Sequence, residues 1–258
     1  MIHSLDRALT VLEYLAEQKS AGVSEIAERF GFDKSTATRF MQTFTAHDLV
    51  VKDGLTQKYR MSNGVLKLSY NVIQNNQMLQ IARPHLQELA RLTQETARLC
   101  AISNGCVYII DQVCARKESS SLQKADVPGT RKPFHCSAIG KIMMAYMPED
   151  EARAMLEQLD RKQYTENTIC NVNYLMDHLR LARARGYAEN QAEYTDRAYC
   201  VAVPIFGRNG EVDYCIGFSG MTDFHQRPER FTHIVKCMKN SAQAISDKFN
   251  QSVKQAVL

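Results

Sequence analysis

Apolar residues recur every three or four positions between Leu5 and Phe44, the spacing of one face of a helix. Within VSEIAERFGFDKSTATRFMQTF, Val23, Ile26, Ala27 and Phe30 mark one apolar face and Ala37, Phe40, Met41 and Phe44 mark a second, with Gly31 between them. The pattern predicts two short helices around a tight turn. Gly31 suits the left-handed backbone at a helix end, and Asp33 can cap the next helix with its carboxylate. On a helical projection Ser35, Arg39 and Gln42 fall opposite the apolar side, flanked by Lys34, Thr36, Thr38 and Thr43. That face carries hydroxyls, an amide and two cations, with no acid after the cap. Arginine can fork onto guanine, glutamine onto adenine, and serine or threonine can reach phosphate. The spacing therefore predicts a helix-turn-helix whose recognition helix spans Asp33–His47, with Lys34, Ser35, Thr36, Thr38, Arg39 and Gln42 as DNA contacts. An ordinary two-helix corner with a polar face gives the same pattern, so the flanking segments carry weight.

Before this stretch, Leu5, Ala8, Leu9, Leu12, Leu15 and Ala16 form the stripe of a first helix, which Ser4 can cap. After it, LVVKDGLTQKYRM reads as two short strands around Asp53-Gly54-Leu55-Thr56, since Asp-Gly is a strong hairpin signal. Three helices and a basic ribbon make a winged helix-turn-helix over residues 1–63. Lys52, Lys58 or Arg60 can then lie against phosphate or in the minor groove, or the ribbon is purely structural. Val65, Leu66, Leu68, Val72 and Ile73 predict a linking helix over residues 64–76.

Residues 77–258 alternate helical and strand-like patterns. A helix is expected over Gln77–Glu95, with Pro84 imposing a kink or restart. Strands follow at Ala97–Ser103 and Cys106–Gln112, joined by Asn104-Gly105, with a short strand near Ser120–Gln123. Helices are expected after Ser137, over Glu149–Leu159 and over Tyr174–Arg185. Two strands, Cys200–Phe206 and Val212–Ser219, meet around Arg208-Asn209-Gly210, and a last helix covers Glu229–Val253. This is an α+β domain with an antiparallel-rich sheet.

Length and charge refine the picture. A chain of 258 residues is comfortable for two domains. The net charge of +4 permits nucleic acid without demanding it. Residues 1–63 are neutral overall, but the acids Asp6, Glu13, Glu17, Glu25 and Glu28 fall in the first two helices. Lys34, Arg39, Lys52, Lys58 and Arg60 fall in the recognition helix and ribbon. No secretory signal is visible, and no apolar run approaches the roughly 18 residues of a membrane span. The cytoplasm is the expected compartment. The eight cysteines all lie beyond position 99, without CxxC spacing, so reduced structural thiols are expected, with no metal and no cofactor. His135-Cys136 invites a Cys–His nucleophile, but neighbours at a helix start do not point at each other.

The segments SLDRALTVLEYL, SEIAERFGFDKSTATRFMQTF and YRMSNGVLKL resemble the IclR family of bacterial transcription regulators, as do PFHCSAIGKIMMA, RARGYA, CVAVPIF and the strand ending in FSG. The resemblance runs along nearly the whole chain. It implies a winged helix-turn-helix domain, a linker helix used in dimerisation and a C-terminal GAF-like α/β effector-binding domain. It also implies homodimers or homotetramers on double-stranded promoter DNA and effectors that are small organic, sugar or aromatic acids. The implied function is a regulator rather than an enzyme, a repressor of a catabolic operon. A metal- or redox-responsive regulator using the C-terminal cysteines is the alternative.

Carried onto this chain, the family's effector pocket involves Ala138, Ile139, Asn190, Glu193, Cys200, Gly217 and Ser219. A helix N-terminus suits a carboxylate ligand, and Ser219 and Cys200 can add donors. This chain has Asn190-Gln191 where many members carry acids, and Arg197 where many carry glycine. Those departures make the implied pocket less acidic and favour an anionic or hydroxyl-rich ligand.

Overall fold

Helix α1, His3–Glu17, begins directly after Ile2, whose carbonyl accepts from the Leu5 and Asp6 amides; Ser4 is inside the helix and does not cap it. A computed structural model describes residues 2–103, 105–115, 126–196, 198–221 and 227–255. The chain divides into two units, Met1–Asn76 and Gln77–Leu258.

In the first unit the buried stripe of α1 is Ala8, Val11 and Leu15, whereas Leu5 and Leu9 are about half exposed. The expected stripe was therefore rotated: Val11 meets the core and the two leucines do not. Helices α2, Val23–Phe30, and α3, Lys34–Ala46, pack on that stripe through Ile26, Ala37, Met41 and Phe44. Between them Gly31 adopts φ +65°, and the Phe32 amide reaches back to Ala27 O at 2.8 Å, closing the helix end. An aromatic run braces this turn: Tyr14 meets Phe30 edge-on, Phe30 stacks on Phe32, and Phe32 meets Phe40 edge-on. Arg7 lies 4.0 Å over the Phe32 ring. Asp33 occupies the N-cap position of α3, yet its carboxylate accepts no bond from the helix; it contributes only a negative charge at the positive end.

Strands β1, Val50–Lys52, and β2, Tyr59–Met61, pair antiparallel. Their connection is longer than a two-residue hairpin. The Asp53 carboxylate accepts from the amides of Leu55 and Thr56 and from the Thr56 hydroxyl, and the positive φ falls on Gln57, at 58°. Asp53 thus shapes the loop as a side-chain turn. The outer edge of β2 is covered where Tyr59 and Ala21 exchange two backbone bonds. Helix α4, Val65–Asn75, has no buried residue.

In the second unit α5, Gln77–Thr93, runs unbroken through Pro84. Packing of Met78, Leu79, Ala82, Leu86, Leu89 and Ala90 on both sides of the proline holds the helix together against the missing amide. Among the described residues six strands form one antiparallel sheet: β3, Thr96–Ser103; β4, Cys106–Val113; β5, Arg131–Lys132; β6, Ala188–Gln191; β7, Ala198–Ile205; and β8, Tyr214–Met221. Their spatial order is β5-β4-β3-β8-β7-β6. The short β5 was not foreseen. Asn104, Ser120–Gln123 and Arg197 lie outside the described residues.

Period-two alternation divides the sheet into two faces. Leu99, Tyr199, Val201, Val203, Ile216 and Phe218 pack with α5 and with α9, Pro228–Gln255. Cys100, Ala202 and Cys215 turn to the other face, under α6, Ala138–Ala145, and α8, Val172–Arg185, with α7, Glu149–Gln158, beside them. Among the described residues no helix is long and apolar enough to cross a membrane.

Candidate functional site

The polar side of α3 is open. Lys34, Ser35, Arg39 and Gln42 are exposed, and Thr36 and Thr38 are half-buried at its margins. The Thr38 hydroxyl is turned back to Lys34 O at 2.7 Å, and Thr43 likewise to Arg39 O, so at those positions the methyl groups are the freer surface. The side chains of Arg39 and Gln42 have no hydrogen-bond partner among the described residues, which leaves a guanidinium and an amide unengaged on this face. On the ribbon, Arg60 is exposed, with a 3.4 Å contact to Met61 O. Lys58 is engaged instead. Its ammonium lies 2.6 Å from Glu25, whose other oxygen caps α2 by accepting from the Gly22 amide at 2.9 Å. Glu25 therefore ties the ribbon base to α2, and those bonds hold its carboxyl below the usual range.

A cavity of about 510 Å³ lies in the second unit, between the start of α6 and the sheet face that α6 covers. Alternation puts Arg98 and Cys100 of β3, Cys200 of β7 and Gly217 and Ser219 of β8 on that face. A side chain at Gly217 would place its Cβ 2.8 Å from Ile139, so glycine there lets α6 approach the sheet. The start of α6 is equally tight: a Cβ at Gly140 would lie 2.5 Å from the backbone of Phe134. Ser137 caps α6, accepting from the Gly140 amide at 3.0 Å while donating to Pro133 O. Ala138 and Ile139, at the positive end of the helix, line the cavity. Asn190 donates to Cys136 O and accepts from the Glu193 amide at 2.9 Å, so it is a wall brace with little left for a ligand.

Six of the seven residues carried over for the pocket line this cavity: Ala138, Ile139, Asn190, Cys200, Gly217 and Ser219. Glu193 does not. It turns behind the wall to Lys141, 2.5 Å away, and both side chains are almost wholly buried. The reason is electrostatic: α6 buries Lys141, and Glu193 is the carboxylate that answers it. Lys141 also donates to Glu189 O. Hydroxyls of Thr165 and Thr168 hold the Ala192 and Glu193 carbonyls, fixing the segment that carries Tyr194 against the one that carries Tyr164.

The charged lining escaped the sequence reading. Arg98, Lys132 and Asp126 all face the cavity. Lys132 pairs with Asp126, and Arg98 Nη1 donates to the Ser219 hydroxyl. Arg98 carried a detectable signal, a cation alternating with apolar neighbours in a strand. Lys132 and Asp126 carried none. Burial pushes the Cys136 thiol up to about 12 and Cys200 to about 11, so neither is a thiolate at neutral pH. Among the described residues no three His, Cys, Asp or Glu side chains group as metal ligands.

A winged helix-turn-helix in one unit and a ligand-sized cavity in the other define a DNA-binding regulator with a sensor domain. Residues 4–54 match the IclR helix-turn-helix domain, and residues 70–247 match the bacterial transcriptional regulator IclR C-terminal domain. The chain belongs to the IclR family, whose members are transcription regulators and not enzymes. It is 30% identical over 245 residues to the HTH-type transcriptional regulator KdgR of Escherichia coli, covering 95% of this chain and 92% of the relative. It is 27% identical to the HTH-type transcriptional repressor AllR of Salmonella typhimurium, covering 94% and 88%. An IclR transcriptional regulator from Alicyclobacillus acidocaldarius superposes with a TM-score of 0.80 at 27% identity, covering 96% of this chain and 98% of that one.

Proposed function

We propose that this regulator binds promoter DNA through α3 and releases or tightens its grip when a small organic or sugar acid enters the cavity. The observation that carries the reading is the exposed, acid-free face of α3, with Arg39 and Gln42 unengaged beside Lys34 and Ser35. Arg60 adds a ribbon contact to phosphate, while Lys58 first serves Glu25. The AllR relative is a named repressor, which favours repression of a catabolic operon. On α4, Leu66, Leu68, Tyr70, Val72 and Ile73 are all more than half exposed. An uncovered apolar helix of this kind favours a homodimer or homotetramer. The cytoplasm is the matching compartment. Half-sites on DNA demand a fixed spacing, so an effector needs only about 1–3 kcal/mol of coupling to change occupancy.

The test is fluorescence anisotropy with DNA from upstream of the protein's own gene, over a salt series. Arg39→Ala is expected to weaken specific binding by about 1–3 kcal/mol and relax base preference. Unchanged affinity in that variant would remove α3 from the interface.

A further inference from the structure

Arg98 is 4% exposed and lines the cavity, yet its guanidinium is only partly used. Nη1 donates to the Ser219 hydroxyl. Nε and Nη2 are buried and have no hydrogen-bond partner among the described residues. Among the described residues the nearest carboxylate oxygen, on Asp126, stands 3.9 Å from Nη2, too far for a hydrogen bond, and Asp126 is held by Lys132. Nε and Nη2 share one edge of the guanidinium plane and present two parallel N–H donors, the geometry that matches both oxygens of one carboxylate. Arg91 of the same chain shows that edge filled: its Nε and Nη2 reach the two oxygens of Glu88 at 2.8 and 2.7 Å. In Arg98 the same edge is buried and unpaired among the described residues. Buried donors left unpaired are costly and rare, so an unpaired edge on a residue that lines the cavity points to a ligand that supplies the acceptors.

The lining also sets the ligand's charge. Arg98 and Lys132 against Asp126 leave one net positive charge among the described lining residues. Lys141 and Glu193 neutralise each other behind the wall. We infer that Arg98 is the carboxylate-recognising residue of the cavity, gripping a monocarboxylate side-on through Nε and Nη2. A dicarboxylate would set its second charge against Asp126, with no further cation among the described lining residues to meet it. This rests on the cavity being the effector site and adds which residue reads the acid and what charge it accepts.

The test uses full-length protein labelled with 15N-arginine. The Arg98 Nε–H resonance, assigned by its loss in Arg98→Lys, is followed while sodium acetate is added at constant ionic strength. Acetamide is the neutral match and malonate the dianionic one. Acetate is expected to shift the resonance saturably in the millimolar range, acetamide not at all, and malonate with at least about tenfold weaker affinity. A shift no larger than that produced by chloride, or equal shifts by acetate and acetamide, would overturn the assignment of Arg98. Malonate binding as tightly as acetate would overturn the monoanion. A structural role is separated by thermal unfolding without ligand. Arg98→Met is expected to melt at the wild-type temperature or above, because it removes unpaired buried donors. A clear drop would mean that Arg98 serves the fold.

The regulatory reading fails differently. Acetate filling the fork while promoter affinity ignores every bound carboxylate would keep Arg98 and discard control. A neutral metabolite that shifts promoter affinity equally in wild type and Arg98→Lys would keep control and discard Arg98.

Discussion

Arg98 and Lys141 are both cations withdrawn from solvent within the same unit, one on the front of the cavity wall and the other behind it. Lys141 meets Glu193 at 2.5 Å and a backbone carbonyl at 3.2 Å. Arg98 has one hydroxyl and an unpaired edge among the described residues. Burial alone therefore does not mark a binding residue. A buried charge that the protein itself answers is architecture, and a buried charge left half-answered on a cavity lining is where we place a ligand. Lys58 and Glu25 give a third case, an ion pair of similar length left in water, where screening removes most of its worth.

Breaking the answered pair should have the largest consequence. Glu193→Ala leaves the Lys141 ammonium buried without its countercharge, with the Glu189 carbonyl still beside it, and is expected to cost about 3–5 kcal/mol in urea unfolding. The double variant Lys141→Met with Glu193→Gln should recover much of that loss. A single-variant cost no larger than an exposed pair's would mean that Lys141 finds solvent or another partner.

A smaller, graded effect comes from pH. Burial holds His135 below its ordinary value of 6.5, with the Arg161 charge adding to the effect, although its bond to Lys162 O pulls the other way. The unfolded chain then binds a proton that the folded chain refuses. Stability is full above about pH 6.5 and falls as pH drops through the window below it. His85 and His178 are lowered by burial as well and share the slope. Urea midpoints between about pH 7.5 and 5 should therefore decline, and His135→Gln should flatten part of that decline. An unchanged slope in the variant would mean that His135 does not contribute.

The smallest effect belongs to the exposed pair. Lys58→Ala should leave the unfolding midpoint nearly where it was, and should weaken promoter binding less than Arg39→Ala. A loss equal to that of Arg39→Ala would show that Lys58 leaves Glu25 for phosphate when DNA arrives.

The legible parts of this chain were those with a local period. Gly31 and the apolar residues of α3 announced the helix-turn-helix because everything they need lies within one or two turns. The same logic misjudged α1: Leu5 and Leu9 are apolar but exposed, and Val11 is the residue that meets the core. The cavity was legible only through family likeness, and then in part. Its charged lining comes from two places far apart in sequence, Arg98 and the short stretch holding Asp126 and Lys132, which only the sheet order brings together. Glu193 shows the converse, since its place in the chain put it near the pocket while Lys141, from a distant helix, turned it away.

One titration tests the central claim, that an acid in the cavity controls DNA binding. Promoter affinity would be measured by anisotropy with and without saturating acetate at constant ionic strength, for wild type and Arg98→Lys. The account predicts a shift of about 1–3 kcal/mol in wild type that Arg98→Lys lacks. Equal affinities with and without acetate in wild type, while the Arg98 resonance shows the fork filled, would contradict it.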